Sequence, residues 1–289
     1  IIHAHDEHSF VSNLAALAAK LRGKMFIQHL FGELPLVTAL EKLAGGVYMS
    51  TLYRSTILAA EKIIVLSPAY ADMISHRLGI PNRKIHVIPN AINPAKYKTH
   101  GPTTKFRQRY AIPPKKQVIL YVGALILRKG VPTLLEAIPL MLKEDSELQF
   151  ALVGKGPLEY DIARWIHEHR LDGTVHLLGG VPDEDLNAAY RTASAVILPT
   201  HADVVPTTIL EAMLFGKPVI STAIPGIKDM FETVAWLTQP GDPDGLARAT
   251  LEAVSDRVKA EKVCQRAKRL VRRVFRWEDR VNTLEAVYR

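Results

Sequence analysis

Cysteine is almost absent from this chain, with one residue, Cys264, in 289. A single thiol closes no internal disulfide, so a cystine-stapled scaffold is excluded and a reducing, cytoplasmic setting is the default expectation. Long apolar runs are missing as well. The run at 118–122 is among the longest, far short of the roughly 18 residues a membrane span needs. Nothing at the start resembles a secretory signal, and the first residue is Ile1 rather than Met. The chain therefore reads as a fragment whose true start has been removed. Aromatic-interleaved basic motifs and zinc-ligand spacings are lacking too, which puts nucleic-acid binding last among the functions a basic protein could have.

With 48% hydrophobic and 23% charged residues, the composition is that of a globular protein able to bury a core. Its length suggests two unequal domains. The net charge of +8 suits anionic lipid, phosphate-bearing ligands and nucleic acid alike. The densest basic stretch, 259–273, puts Lys262, Arg266, Arg269 and Arg273 three or four residues apart, on one helix face. A solvated face is the first reading of such a run. Peripheral contact with an anionic membrane, on its inner face, is the second.

From residue 117 onward, short apolar strands alternate with amphipathic helices. The segments 117–123, 148–154, 175–179, 195–199 and 218–222 read as strands buried on both faces. Between the first two, Val131, Leu134, Leu135, Ile138, Met141 and Leu142 fall at helical spacing, with a kink expected at Pro139. Such alternation predicts a parallel sheet covered by helices, with ligands at the carboxyl ends of its strands. The first 90 residues repeat the pattern with less material: strands at 1–5, 24–29, 62–67 and 84–88, helices at 10–21 and 52–60. Turn signals between 90 and 113 mark the join.

The strand ends of the second half carry special residues. Gly123 precedes Arg128-Lys129-Gly130 and a helix, an arrangement that directs backbone N–H groups and two cations at one space and suits a diphosphate. Gly154 and Gly156 would let something approach the backbone closely, and so would a structural turn. Gly179-Gly180-Val181 and Pro199-Thr200 end the next two strands. Four such ends outline one ligand crevice.

At this point a resemblance becomes specific. Tyr121-Val122-Gly123 with Lys129-Gly130, the Gly154-x-Gly156-Pro157 turn, and Pro206-Thr207 with Leu210-Glu211-Ala212-Met213-x-x-Gly216-Lys217-Pro218 resemble the retaining glycosyltransferases of family four. Ile2-His3-Ala4-His5, Ser67-Pro68, 87–93 and Phe275-x-Trp277 extend the similarity over nearly the whole chain. The resemblance implies an α/β GT-B fold, two Rossmann-like domains facing across a cleft. Here they would be an incomplete acceptor-binding domain at 1–95, a donor-binding domain at 96–274, and a last helix at 275–289 crossing back.

It also implies roles. Glu211 would hold the ribose hydroxyls of a nucleoside-diphosphate-sugar donor, since a carboxylate accepts two hydrogen bonds from a vicinal diol. Lys129 would neutralise the diphosphate leaving group, with Thr207 and Thr208 N–H groups beside Pro206 adding to this. Asp203 stands where the family usually has a glutamate contacting the donor sugar, and Ala124 where it usually has an arginine, a loss for which Arg128 is the candidate replacement. His29 matches a histidine facing the donor sugar. Val181 and Asp203 would shape the choice of base and sugar.

No metal or other cofactor is expected on this reading. His3, His5 and His8 imitate a metal site, and Asp183-Glu184-Asp185 imitates an Asp-x-Asp metal motif but opens a helix, where acids suit the dipole. The expected reaction is retaining transfer from a UDP- or GDP-sugar to an acceptor hydroxyl of a glycan, lipid or small molecule. The rivals are a catalytically weak or inactive nucleotide-sugar-binding protein, motivated by Ala124 and Asp203, and an epimerase or phosphorylase of similar architecture.

Overall fold

The computed structural model describes residues 1–6, 9–32 and 48–289, which divide into two compact units. Residues 1–90, 202–205 and 277–289 form the first; 91–201 and 206–276 form the second.

The first unit is a parallel sheet in the order β1-β2-β3-β4: β1 (Ile2–His5), β2 (Phe26–His29), β3 (Lys62–Val65) and β4 (Ile85–Val87). Parallel neighbours need crossover helices, and the local sequence supplies them. Helix α1 (Phe10–Arg22) starts at Ser9, whose side chain accepts from the Val11 N–H, and stops at Gly23 in the left-handed region. Helix α2 (Arg54–Ala59) continues a wide turn at Met49–Tyr53. Helix α3 (Pro68–Leu78) is not announced by periodicity, yet its ends are well marked. Ser67 caps the Tyr70 N–H, Pro68 takes the first turn, where no N–H is needed, and Gly79 closes it at φ 69°. The last helix, α12 (Trp277–Tyr288), packs Leu284, Val287 and Tyr288 against Ile27, Ile64 and Ile88 of this sheet. Lys62 Nζ donates to the Val287 carbonyl at 2.5 Å.

The second unit is a six-stranded parallel sheet in the order β10-β9-β8-β5-β6-β7. Its strands are β5 (Val118–Val122), β6 (Gln149–Val153), β7 (Val175–Gly179), β8 (Ala195–Leu198), β9 (Val219–Thr222) and β10 (Trp236–Thr238). Every residue of β6, β8 and β9 is buried, as expected of strands covered on both faces. The connecting helices are α5 (Val131–Glu144), α6 (Glu159–Glu168), α7 (Asp183–Thr192), α8 (Thr207–Leu214), α9 (Pro225–Phe231) and α10 (Pro243–Ser255). α5 runs unbroken through Pro139. The small helix α4 (Thr104–Arg109) precedes the sheet and α11 (Arg257–Val274) follows it. α11 buries Ala260, Val263, Cys264, Ala267 and Val271 and leaves Lys262, Arg266, Arg269 and Arg273 exposed.

Candidate functional site

In the second unit the chain winds outward from β5 through β6 to β7, then returns to the other side of β5 to make β8. In sheets with such a reversal the flanking helices diverge and ligands bind at the carboxyl ends of the two strands concerned, here β5 and β8. The predicted donor residues Gly123, Arg128, Lys129, Thr207, Thr208 and Glu211 all follow these two strands. Gly154, Gly156 and Val181 follow the neighbouring β6 and β7.

At Gly154 and Gly156 the close approach is made by the chain's own backbone. A Cβ on Gly154, at φ 147°, would lie 1.8 Å from the Gly123 carbonyl oxygen, and one on Gly156 would lie 2.4 Å from that of Leu125. What approaches the backbone closely here is the loop after β5, which the loop after β6 holds through Leu125 N–H to Lys155 O at 2.9 Å. Gly130 is equally constrained, its Cβ position 1.7 Å from the Pro199 oxygen. On the far side the Arg128 carbonyl accepts from the His201 N–H at 2.8 Å and from Thr200 Oγ1 at 3.1 Å. The loop bearing Arg128 and Lys129 is thereby clamped on both flanks. Its cations stand on fixed backbone, which is what binding a diphosphate without reorganisation requires.

Two helix starts face the same strand ends and differ in charge. α7 opens on Asp183, Glu184 and Asp185, and Asp185 is buried, accepting from Arg109 Nη1 at 2.6 Å and Tyr110 Oη at 2.9 Å. The acids here satisfy a helix dipole and an internal ion pair; no side chain caps the helix. α8 opens at Pro206 with neither a side-chain cap nor an acid in its first turn. Thr208 Oγ1 donates to the Val122 carbonyl at 3.1 Å, tying this helix start to the end of β5. Of the two, only α8 keeps the bare positive end that an anion seeks.

One turn into α8, Glu211 is held by two tyrosines that sequence reasoning missed. Tyr97 Oη donates to Oε1 at 3.0 Å and Tyr190 Oη donates to Oε2 at 2.6 Å. Phe215 braces both rings, stacked on Tyr190 at 5.1 Å and edge-on to Tyr97 at 6.2 Å. Burial, reinforced by the Glu211 carboxylate, pushes both phenols well above their ordinary pKa, so both remain donors. A carboxylate offers about four lone-pair positions, so two remain for a ligand. Tyr190, wholly buried at the end of a helix, reads in sequence as core, and Tyr97 sits in a stretch with no periodicity at all.

His29 and Asp203 belong to the first unit. Asp203 is partly exposed on the short segment 202–205, which Asn90 fastens by donating Nδ2 to the Val205 carbonyl at 2.8 Å. His29 ends β2 directly opposite His5, which ends β1, and His3 lies two residues back on the same face. Burial, followed by repulsion from His5 and His3, holds His29 down to about 3, and burial with His5 holds His3 down to about 4. His8 lies outside the described residues.

Known proteins give this geometry a context. A family model described as "Glycosyl transferases group 1" matches residues 102–270, and one described as "Glycosyltransferase Family 4" matches residues 1–96. Among curated relatives, the GPI3 subunit of phosphatidylinositol N-acetylglucosaminyltransferase from Saccharomyces cerevisiae is 25% identical over 88% of this chain and 55% of its own length. The 2-deoxystreptamine glucosyltransferase of Streptomyces kanamyceticus is 26% identical over 80% of this chain and 56% of its own. The chain thus spans little more than half the length of such relatives. Among solved structures, Anabaena HepE in complex with UDP-glucose superposes with a TM-score of 0.82 at 20% identity, covering 99% of this chain and 78% of that one. Sucrose-phosphate synthase from Thermosynechococcus elongatus gives 0.76 at 20% identity, over 99% and 72%. These likenesses establish the GT-B fold expected from the strand-end motifs.

Proposed function

The chain belongs to the glycosyl transferases group 1 family, and from that membership we propose that it transfers a sugar from a nucleoside-diphosphate-sugar to an acceptor hydroxyl with retention of anomeric configuration. The observation that carries the reading is the pairing, within one unit, of a fixed carboxylate with an uncapped helix start beside a clamped dibasic loop. Glu211, oriented by Tyr97 and Tyr190, takes the two ribose hydroxyls. Lys129, with Arg128 and the first N–H groups of α8, takes the diphosphate. As the bond from the sugar to the diphosphate breaks, negative charge grows on the leaving oxygen, and fixed positive groups lower the barrier by meeting it there. No metal is required for this neutralisation.

The names of the relatives mention phosphatidylinositol and 2-deoxystreptamine, which supports a lipid or small molecule beside a glycan as the acceptor to test. UDP-sugars are the first donors to try, because HepE was solved with UDP-glucose. The exposed cations of α11 would favour an anionic membrane surface, where a lipid acceptor would reside. No helix among the described residues is long and apolar enough to cross a membrane.

The test is incubation with UDP- and GDP-sugars while following free nucleotide release and, by NMR, the anomeric configuration of the product. Retention is expected. Lys129→Ala should lower kcat about a hundredfold or more, as removal of a charge-stabilising donor does elsewhere. Arg128→Ala should cost less, and if it costs nothing the idea that Arg128 substitutes for the arginine missing at Ala124 is wrong. Inversion would sink the assignment, and donor binding without any release would favour the inactive binding protein.

A further inference from the structure

The geometry points to a divalent transition-metal site in the first unit, formed by His3, His5 and His29. Each ring offers one nitrogen, and the three nitrogens lie within 4.8 Å of one another. The backbone builds this cluster. His3 and His5 alternate onto one face of β1, and the parallel register sets His29 of β2 opposite His5, so all three imidazoles leave the same face near the carboxyl edge. Their ring centroids are 4.2 Å apart for His3 and His5, 5.2 Å for His5 and His29, and 5.6 Å for His3 and His29.

The rings have nitrogens to give. His3 Nε2 and both nitrogens of His29 are buried without a hydrogen-bond partner among the described residues. Buried polar atoms without partners are costly, and three in one cluster call for an occupant. His3 is already arranged as a metal ligand should be: its Nδ1 meets Tyr288 Oη at 2.8 Å, which fixes the ring and leaves Nε2 for the ion. Zinc bound to imidazoles at about 2.0–2.1 Å places neighbouring nitrogens roughly 3.4 Å apart, so the cluster must contract by about an ångström. That contraction takes rotation of the His29 ring toward His3 as well as of the exposed His5 ring, because the His3–His29 pair is the widest of the three. An all-imidazole set selects zinc, cobalt, nickel or copper over magnesium and calcium, and three ligands leave a fourth position open to water.

The site goes beyond the transfer reaction and is not a cofactor site for it. The ion would engage His3, His5 and His29 within the first unit, whatever the transfer chemistry of the second. Its binding is measurable with no donor or acceptor present, which keeps its fate separate from that of the transfer reading.

The experiment is titration of the chelator-treated protein with Co2+, followed by Zn2+. One equivalent of Co2+ should produce visible d–d absorption of a low-coordinate nitrogen site, and one equivalent of Zn2+ should abolish it. His5→Ala removes an exposed side chain and should weaken Zn2+ binding at least tenfold by calorimetry. Tyr288→Phe, which frees the His3 ring, should weaken it by a smaller factor. His76→Ala, an exposed histidine on α3, should leave binding unchanged. Absence of the cobalt bands, or Zn2+ binding by His5→Ala at wild-type affinity, overturns the proposal, the second outcome meaning that the ion sits on other histidines of the chain.

Discussion

Both units place their chemistry at the carboxyl ends of parallel strands, and they furnish those ends with opposite materials. In the first unit β1 and β2 end in imidazoles, His5 and His29; Phe31 stacks on His29, and both His29 nitrogens are buried without a hydrogen-bond partner among the described residues. In the second unit glycines follow β5 and β6, and the polar groups there are already engaged: main chain with main chain at Leu125 N–H to Lys155 O, and Glu211 with Tyr97 and Tyr190. The first is a set of unsatisfied donors and acceptors, adaptable in what it takes. The second is a preorganised frame whose shape is settled before any ligand arrives, and rigidity of that kind is what charge stabilisation needs. The inner strands of both units are buried, β2 and β3 for all but one residue each, and exposure is confined to other elements. α1 of the first unit exposes Phe10, Leu14, Leu17 and Leu21, whereas β6, β8 and β9 of the second are wholly buried.

The comparison breaks most visibly at the glycines. Gly154→Ala should destabilise the second unit by about 3 kcal/mol or more, because the methyl group meets backbone and not a yielding side chain. Gly23→Ala is the matched control: its φ is 58°, nothing lies within 4 Å, and only about 1 kcal/mol of backbone strain is expected. Urea titrations of both variants decide this; equal losses would mean that the loop clamp contributes nothing.

A smaller effect attends the carboxylate frame. Tyr190→Phe removes a buried hydrogen bond to a charged group and should cost about 2 kcal/mol, with donor KM rising more than kcat falls. Tyr97→Phe, half-buried, should cost less. A fall in kcat with KM unchanged would contradict an orienting role for Glu211.

The imidazole cluster should reveal itself through pH. His29 and His3 are held at about 3 and about 4, against about 6.5 in the unfolded chain. Below about pH 6.5 the unfolded state takes protons that the folded state refuses. The stability is therefore full above that pH and is lost as pH falls toward 4 and then 3, by at most about 1.4 kcal/mol per pH unit for each group. Melting curves between pH 7 and pH 4 should have a shallower slope in His29→Gln than in the parent. An unchanged slope would place the proton uptake elsewhere.

Much of this is legible without coordinates, for reasons that lie in particular residues. The apolar runs of β5, β6 and β8 are bounded by glycine or proline, and the caps of α1 and α10 are written as Ser9 and Asp242. The alternation His3-Ala4-His5 already puts two imidazoles on one face, though nothing in it says that His29 stands opposite. α3 escapes a periodicity reading because its burial is confined to Tyr70, Ile74 and Leu78. Gly154 and Gly156 read as places of close approach, by a ligand or by a structural turn, and sequence records only that a side chain is missing, not that the backbone of Gly123 and Leu125 lies there.

The sequence by itself determined the class of the molecule: parallel sheets, special residues at the strand ends, and a family whose motifs carry a donor-binding grammar. Those features are local, written within a strand and the few residues after it. Only the tertiary structure decided that a tyrosine 114 residues from Glu211 holds one of its oxygens, that a carbonyl of one loop fills the space above the glycine of another, and that Tyr288 reaches His3 across 285 positions. Contacts of that separation depend on how strands are ordered in a sheet, and strand order follows from packing summed over the whole fold, which no single segment encodes.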